Sequence, residues 1–345
     1  MSSLTFLNET LHPAPISSLE VVILSTWKII SLFLCLTGNG FVLFSSIRYN
    51  AVRLDKMSIH IVRCLCVVDL CQGLCQCLPK IVAMVAGNRW ILGEELAVFV
   101  FSTKGTFLEC NLMLVCLLAV NKIVRCLNPL GTLHVSVRQR RLVTLFVVVV
   151  FLVNWLWYFY QTITGYYVMF YSELICDMYC TTSDNNKYST VEILLVGLFL
   201  LLPTIVLCIA SAMLVYVAFS MAHSAVKKKN ITVTILVALF FLVQVIPFCV
   251  WFAIYETQTG YDGMLKTSFS IYASRIIFQL ETINIFINPA VYFITMKRFR
   301  SFCKRYLRRS GGIKILSDTH SLGQEPATEP VRTTEFSRLP IRIIE

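Results

Sequence analysis

Seven stretches of about twenty apolar residues dominate the sequence, and about twenty is the length at which an α-helix crosses the hydrocarbon core of a bilayer. They lie at 21–47, 58–86, 96–126, 142–168, 191–220, 231–255 and 268–296. Of the 345 residues, 57% are hydrophobic and only 14% are charged, whereas soluble domains carry about a quarter charged residues. The sequence therefore predicts an all-α membrane protein, a bundle of seven transmembrane helices.

Positive charge is concentrated in alternate connections between these spans. The net charge is +11, and lysine and arginine cluster around 48–56, 138–141, 227–229 and 297–309. The first twenty residues contain neither, and the remaining connections are mainly acidic. By the positive-inside rule the amino terminus is extracellular and the carboxyl terminus cytoplasmic, as an odd number of spans also requires. We therefore predict a multi-pass plasma membrane protein, and the bilayer rather than nucleic acid explains the charge.

The chain is predicted to have four segments. Residues 1–20 form an extracellular segment whose sequon at Asn8 predicts a glycoprotein, and 21–296 form the seven-span bundle. Basic and apolar residues alternate at helical spacing over 297–309, which is typical of an amphipathic helix on the inner leaflet. Cys303 in this helix is either a palmitoylation site or an unmodified thiol. The polar composition of 310–345 predicts a disordered cytoplasmic tail.

Polar residues recur on one face of several spans. The sets at helical spacing are Asp69, Gln72, Gln76 and Lys80 in the second span, Lys104, Asn111 and Lys122 in the third, and Glu281, Asn284, Asn288 and Tyr292 in the last. The first span contributes Asn39, flanked by two glycines. Because polar groups that face lipid are costly, these faces are predicted to point at one another around a hydrated interior.

The last span contains the sequence Asn-Pro-x-x-Tyr, followed directly by the basic amphipathic segment. The matching positions, in chain order, are Gly38, Asn39, Asp69, Pro203, Pro247, Asn288, Pro289 and Tyr292. Over roughly residues 21–309 the chain resembles the rhodopsin-like (class A) G protein-coupled receptors. The resemblance implies a signal-transducing receptor with an outward ligand pocket and an inward cleft for a heterotrimeric G protein. Arrestin and a receptor kinase are further implied partners, and no cofactor is expected.

Several positions depart from the pattern of this family. Asn121, Lys122 and Ile123 stand where the family has an acid-arginine-tyrosine signature. Lys122 and Arg125 keep positive charge for G protein coupling, although an ammonium lacks the planar fork of arginine. Because Asn121 is not a carboxylate, the ionic restraint on the resting state is expected to be weaker.

Ala97 stands where the family has the cysteine that ties the third helix to the second outer loop. Cys176 and Cys180 remain in that loop, which is predicted to lie in an oxidising compartment. They pair with each other, or one reaches Cys75 or Cys77, or both stay free, because connectivity cannot be read from sequence. The other cysteines show no metal-ligand spacing, so no metal site is predicted.

Two interior sites are implied by the resemblance, and the first is a polar switch. Asp69, Asn111, Asn284 and Asn288 are expected to surround a sodium ion or waters in the resting state, and Asn39 and Tyr292 belong to the same polar set. The alternative is a fixed hydrogen-bond network that only holds the helices together.

The second is a ligand site. The family's packing sets Lys104 opposite Glu281, which gives either a buried ion pair or, with Lys80, Arg275 and Gln76, a pocket for an anionic group. The family's amine receptors have an aspartate where Lys104 stands, so an amine ligand is not expected. A retinal protein needs a lysine in mid-seventh span, where this chain has Thr282.

The alternative to a receptor is a channel or transporter without G protein coupling. Many transporters are built from repeated halves, and this sequence shows no internal repeat. An enzyme is not predicted, because the sequence has no metal-ligand cluster, nucleophile elbow or glycine-rich phosphate loop.

Overall fold

A computed structural model describes residues 17–48, 56–127, 136–164, 167–172, 177–182, 197–220, 225–258, 268–295, 299–301 and 303. The α-helices are α1 (Ser18–Arg48), α2 (Lys56–Gln72), α3 (Leu78–Val85), α4 (Glu94–Leu127), α5 (Val137–Ile163), α6 (Leu202–Ser220), α7 (Ala225–Gln258) and α8 (Ser268–Thr295). Seven candidate membrane spans result, because α2 and α3 are continuous through a π-helical turn, Gly73–Cys77. The predicted seven-helix class is confirmed.

Two prolines follow the π-helical turns, and two others lie inside helices. Pro79 lies in the first turn of α3, directly after the π-helical turn, and Pro203 follows a second π-helical turn, Gly197–Leu201, at the start of α6. Pro247 and Pro289 lie inside α7 and α8. A proline cannot donate the helical hydrogen bond, so a proline inside a helix leaves one carbonyl without its usual helical donor.

A two-stranded hairpin follows the fourth span. Strand β1 (Tyr167–Ser172) pairs antiparallel with β2 (Asp177–Thr182), and Ser172 lies opposite Asp177. The sequence-based end of the fourth span at 168 was therefore too late, since α5 stops at Ile163. Tyrosine and valine at the start of β1 suit a strand as well as a membrane helix, so hydrophobicity alone did not locate the boundary.

The third span, α4, is the centre of the bundle. It packs against α2, α5, α6 and α7, and Leu112 and Leu114 are fully buried. On α5, by contrast, Val150, Asn154 and Gln161 are the buried residues, and most apolar side chains point outward. An apolar outer surface is the expected counterpart of lipid, so the polar interior lies around α4.

The chain divides into two compact units, Met1–Phe302 and Cys303–Glu345. In the first, residues 299–301 are helical, and the rings of Phe299 and Phe41 lie 5.7 Å apart. In the second, the structure describes Cys303, which is helical and buried. The amphipathic helix is thus partly described, and palmitoylation of Cys303 stays a prediction. The tail and the predicted Asn8 glycosylation site lie outside the described residues.

Helix α7 begins before the three consecutive lysines that were assigned to an inner loop. Its first residue is Ala225, so the backbone of 227–229 is already helical. The connection between the fifth and sixth spans is therefore shorter than the ten residues expected from hydropathy. Lysine is a good helix former, so a charge run does not mark the end of a helix.

Gly38 allows α1 and α8 to approach closely. A Cβ atom at Gly38 would lie 2.9 Å from the Cβ of Pro289, which is inside van der Waals contact. We expect Gly38→Val to lower the free energy of unfolding by about 1–3 kcal/mol, as overpacking does elsewhere, measured by thermal unfolding of the purified protein. Gly40→Val is the matched control, because nothing lies within 4 Å of a Cβ there. Equal melting temperatures for the two variants would contradict the close approach.

Candidate functional site

Three polar residues from three spans meet in the middle of the bundle. The buried Asp69 carboxylate accepts one hydrogen bond from the Asn111 amide at 3.0 Å and another from the Asn288 amide at 3.1 Å. The Asn111 amide also donates to Gln72 at 3.1 Å. We call these four residues the Asp69 network. Because its members come from α2, α4 and α8, it couples the positions of those helices.

Asn39 is connected to this network through a cysteine. Its amide donates to the carbonyl of Ile285 at 2.6 Å and lies 3.7 Å from the Cys35 sulfur. The Cys35 thiol in turn donates to the Asp69 backbone carbonyl at 3.2 Å. Helix α1 is therefore tied to both α2 and α8 by polar contacts.

Asn284 and Tyr292 are buried but take no part in these bonds. The Asn284 Nδ2, the Tyr292 hydroxyl and the Asn111 Oδ1 are buried atoms without a hydrogen-bond partner among the described residues. Buried polar atoms normally find a partner or an ordered water. The Asp69 carboxylate and an unpartnered amide oxygen are hard oxygen ligands, and these fit a sodium ion or waters.

A second cluster of charge lies where the hairpin meets the helices. The Asp177 carboxylate lies 2.7 Å from Lys80 Nζ, 3.2 Å from Lys104 Nζ and 3.7 Å from Lys28 Nζ. The lysines belong to α3, α4 and α1, and the carboxylate is fully buried. We call these four residues the lysine cluster. The Lys104 ammonium also lies 3.7 Å from the centre of the Phe278 ring, which adds α8 to the contact.

The lysines keep the hairpin carboxylate charged. Burial alone would raise the pKa of Asp177, but Lys104, Lys80 and Lys28 outweigh it and hold this pKa well below its usual range. Among the described side chains, three ammonium groups thus surround one carboxylate.

Residues 38–292 match the model of the 7 transmembrane receptor (rhodopsin family). The chain belongs to this family. In fold, this receptor is similar to the crystal structure of squid rhodopsin, with a TM-score of 0.68 and 14% sequence identity over 89% of this chain and 90% of the other. No curated protein matches the sequence. The family resemblance read from the sequence is confirmed, and the receptor is a multi-pass membrane protein.

Two of the predicted ligand residues of this receptor lie together, and others lie apart. Lys80 and Lys104 share Asp177, whereas Arg275 pairs with Glu20 at 3.6 Å. The Gln76 amide donates to the Val100 carbonyl and the Thr103 hydroxyl. The side chain of Glu281 lies outside the described residues, so its pairing with Lys104 stays a prediction.

Two members of the lysine cluster, Lys28 and Asp177, were not predicted from the sequence. Lys28 is a lysine inside an apolar span, and that alone marks a candidate functional position. Asp177 had been counted only among the acidic residues of an outer connection. No local pattern indicates that its side chain enters the bundle.

At the predicted cytoplasmic end, Asn121 has a partner on another span. Its amide donates to the Ser58 hydroxyl of α2 at 2.9 Å, and the neighbouring Lys122 is buried. Arg125 lies on the last turn of α4. The three positions assigned to G protein coupling therefore share one end of α4, and their role stays a prediction.

The structure describes the two cysteines of the second span that were considered as partners for an outer disulfide. Cys75 and Cys77 lie within the π-helical turn of the second span, and Cys77 packs against Cys35 and Ile285. Cys176 and the side chain of Cys180 lie outside the described residues, so their pairing stays a prediction.

Glu109 is a buried carboxyl that was not among the predicted site residues. Its Oε1 accepts a hydrogen bond from the Tyr158 hydroxyl at 3.2 Å. This contact joins α4 to α5, and a Cβ atom at Gly105 would collide with Tyr158. Glu109 therefore lies on a different side of α4 from the Asp69 network and offers a comparison for it.

Proposed function

We propose that this receptor binds an extracellular ligand carrying an anionic group and activates a heterotrimeric G protein by rearranging its helices. The lysine cluster is the observation that carries the proposal. It combines residues of three spans with a hairpin that lies, by the charge distribution, on the extracellular side. In this arrangement the receptor sits in the plasma membrane with its amino terminus outside, and a receptor kinase and arrestin act on its cytoplasmic side.

The charges of the cluster select the ligand class. Three ammonium groups lie together around the Asp177 carboxylate. Such groups form strong charge-assisted hydrogen bonds with a carboxylate or phosphate on a ligand, whereas an amine on the ligand would meet like charge. Asp177 belongs to the hairpin rather than to the helices that carry the lysines, so a ligand anion can join or replace its carboxylate without breaking a span.

The same helices lead from this cluster to the Asp69 network. Lys104 and Asn111 are seven residues apart on α4, which is about 10 Å along the axis. Phe278, which contacts Lys104, belongs to α8, as does Asn288. A ligand that shifts α4 against α8 therefore changes the distances among Asp69, Asn111 and Asn288. Water or sodium held there rearranges with them, and α7 moves about Pro247.

The test is nucleotide exchange on a G protein with matched acid and amide compounds. We expect carboxylates or phosphates from a panel of peptides, lipids and small acids to accelerate exchange, with their neutral amides or esters about tenfold weaker. Lys104→Gln should lower the potency of an active acid by about tenfold for the same reason.

Lys56→Gln is the control for simple loss of positive charge, because Lys56 is exposed at the other end of the bundle. It should leave potency unchanged. If an acid and its amide are equally potent, the proposal that the ligand carries an anionic group is wrong. Ion or solute flux without nucleotide exchange would indicate a channel or transporter instead of a receptor.

A further inference from the structure

A groove at the end of the bundle opposite the lysine cluster has no part in the proposed signalling. It lies between α2 and α5 and has a volume of about 470 Å³. Its lining residues are His60, Val137, Arg140, Arg141, Thr144, Leu145 and Val148. We propose that this groove binds an anionic phospholipid of the inner leaflet, with the phosphate against the arginines and an acyl chain along the apolar residues. The proposal requires only the membrane orientation of the receptor, not its coupling to a G protein.

The charged end of the groove suits a phosphate. Arg140 and Arg141 contribute two guanidinium groups, which match phosphate oxygens with paired donors. The Arg140 Nε is buried and has no hydrogen-bond partner among the described residues. Residues 137–163 contain no aspartate or glutamate, so no carboxylate of α5 competes for these arginines. The positive end of the α5 dipole also favours an anion here.

Local contacts fix the shape of this end. His60 of α2 lies 2.9 Å from the Thr144 hydroxyl of α5, so the two helices that form the groove are joined. The Ser136 hydroxyl accepts from the Gln139 N–H, and the Gln139 side chain accepts from the Ser136 N–H, which together cap α5. The arginines therefore project from a helix whose start is already stabilised.

The apolar end of the groove identifies a lipid rather than a soluble anion. Leu145 is 58% exposed and Val148 is 46% exposed, as expected for side chains of a membrane span that face lipid. Arg140 and Val148 are eight residues apart, which is about 12 Å along the helix. A headgroup beside the arginines thus places its acyl chains beside these two side chains. A free phosphate or an acidic peptide would leave them uncovered by the ligand.

The experiment is a titration of the full-length receptor in detergent micelles with phosphatidylserine or phosphatidylcholine, with bound lipids counted by native mass spectrometry. We expect phosphatidylserine to bind more tightly than phosphatidylcholine. The double substitution R140Q/R141Q should weaken phosphatidylserine binding by about thirtyfold and phosphatidylcholine binding by less, because its choline cation already offsets the phosphate charge. Arg138→Gln is the matched control, because Arg138 is an exposed arginine of the same helical turn outside the groove, and it should change binding less than about twofold.

Three outcomes would overturn the proposal. Equal losses of phosphatidylserine affinity for Arg138→Gln and the double variant would mean that the lipid is attracted to basic charge in general and not to the groove. Unchanged phosphatidylserine binding in the double variant would mean that the groove does not recognise the lipid. Equal affinity for glycerophosphoserine and phosphatidylserine would assign the groove to a soluble anion. If the double variant does not fold, Arg141→Gln replaces it, because Arg141 is exposed, and its expected loss is about fivefold.

Discussion

Asp177→Asn should lower the free energy of unfolding of the receptor by about 3–5 kcal/mol, the usual effect of removing one partner from a buried ion pair. The substitution preserves shape but leaves Lys28, Lys80 and Lys104 close together without the carboxylate that they share. The measurement is thermal unfolding of the purified receptor, together with its yield at the cell surface.

A second substitution distinguishes charge balance from loss of hairpin packing. Adding Lys80→Gln to Asp177→Asn removes one of the three cations, so the double variant should be more stable than Asp177→Asn alone. If the double variant is less stable, with the two effects simply adding, the residues are not coupled. Wild-type stability in Asp177→Asn would show that the carboxylate does not hold the lysines.

The pH dependence of this effect has a definite sign. The folded-state pKa of Asp177 lies below its usual range, so its contribution is complete above the unfolded pKa, about 3.9. The contribution is lost as the pH falls through the lower folded value. The stability difference between wild type and Asp177→Asn should therefore be constant between about pH 5 and about pH 8.

Asp69→Asn should reduce agonist-stimulated nucleotide exchange by about fiftyfold, within the range of coupling energies between sites in allosteric proteins. The carboxylate accepts from both Asn111 and Asn288, but an asparagine has a single acceptor oxygen and turns an NH₂ group toward one of them. One link between α2 and its neighbours is lost, and any effect of sodium on ligand affinity should disappear with the charge.

Glu109→Gln is the matched control for Asp69→Asn. Glu109 is also a buried transmembrane carboxyl, and its described hydrogen bond is with Tyr158 of α5. It should retain exchange within about twofold of wild type, because a neutral side chain still accepts that bond. Equal losses of nucleotide exchange in the two variants would mean that the buried carboxyls are needed only for folding. Unchanged exchange in Asp69→Asn would leave the Asp69 network as a fixed link between helices.

Most members of the Asp69 network could be selected from the sequence. Asp69, Asn111 and Asn288 were selected because polar residues inside apolar spans must face protein or water, and helical spacing put each of them on a defined face. The structure places these three in contact. Asn284 and Tyr292 were selected by the same rule and are buried, but spacing within one helix does not specify which residues of different helices meet.

Only two of the four residues of the lysine cluster were predicted from the sequence. Lys80 and Lys104 were found from their positions in polar stripes, whereas Asp177 is 73 residues from Lys104 along the chain. Its place depends on the hairpin register that sets Asp177 opposite Ser172. The partner expected for Lys104 was Glu281, because helical periodicity suggests contacts between facing helices. It does not indicate a strand that packs against them.

The sequence by itself determined the number of spans, the expected orientation and the family, because the hydrocarbon core imposes length and apolar character on every helix, whatever its neighbours. Only the tertiary structure decided that Asp177 joins three lysines, that Gly38 meets Pro289, and that Arg140 and Arg141 line a groove with His60. Each of these contacts joins segments distant in sequence, and their distances follow from how the helices pack. Hydropathy and helical periodicity act within one segment and contain no information on that packing.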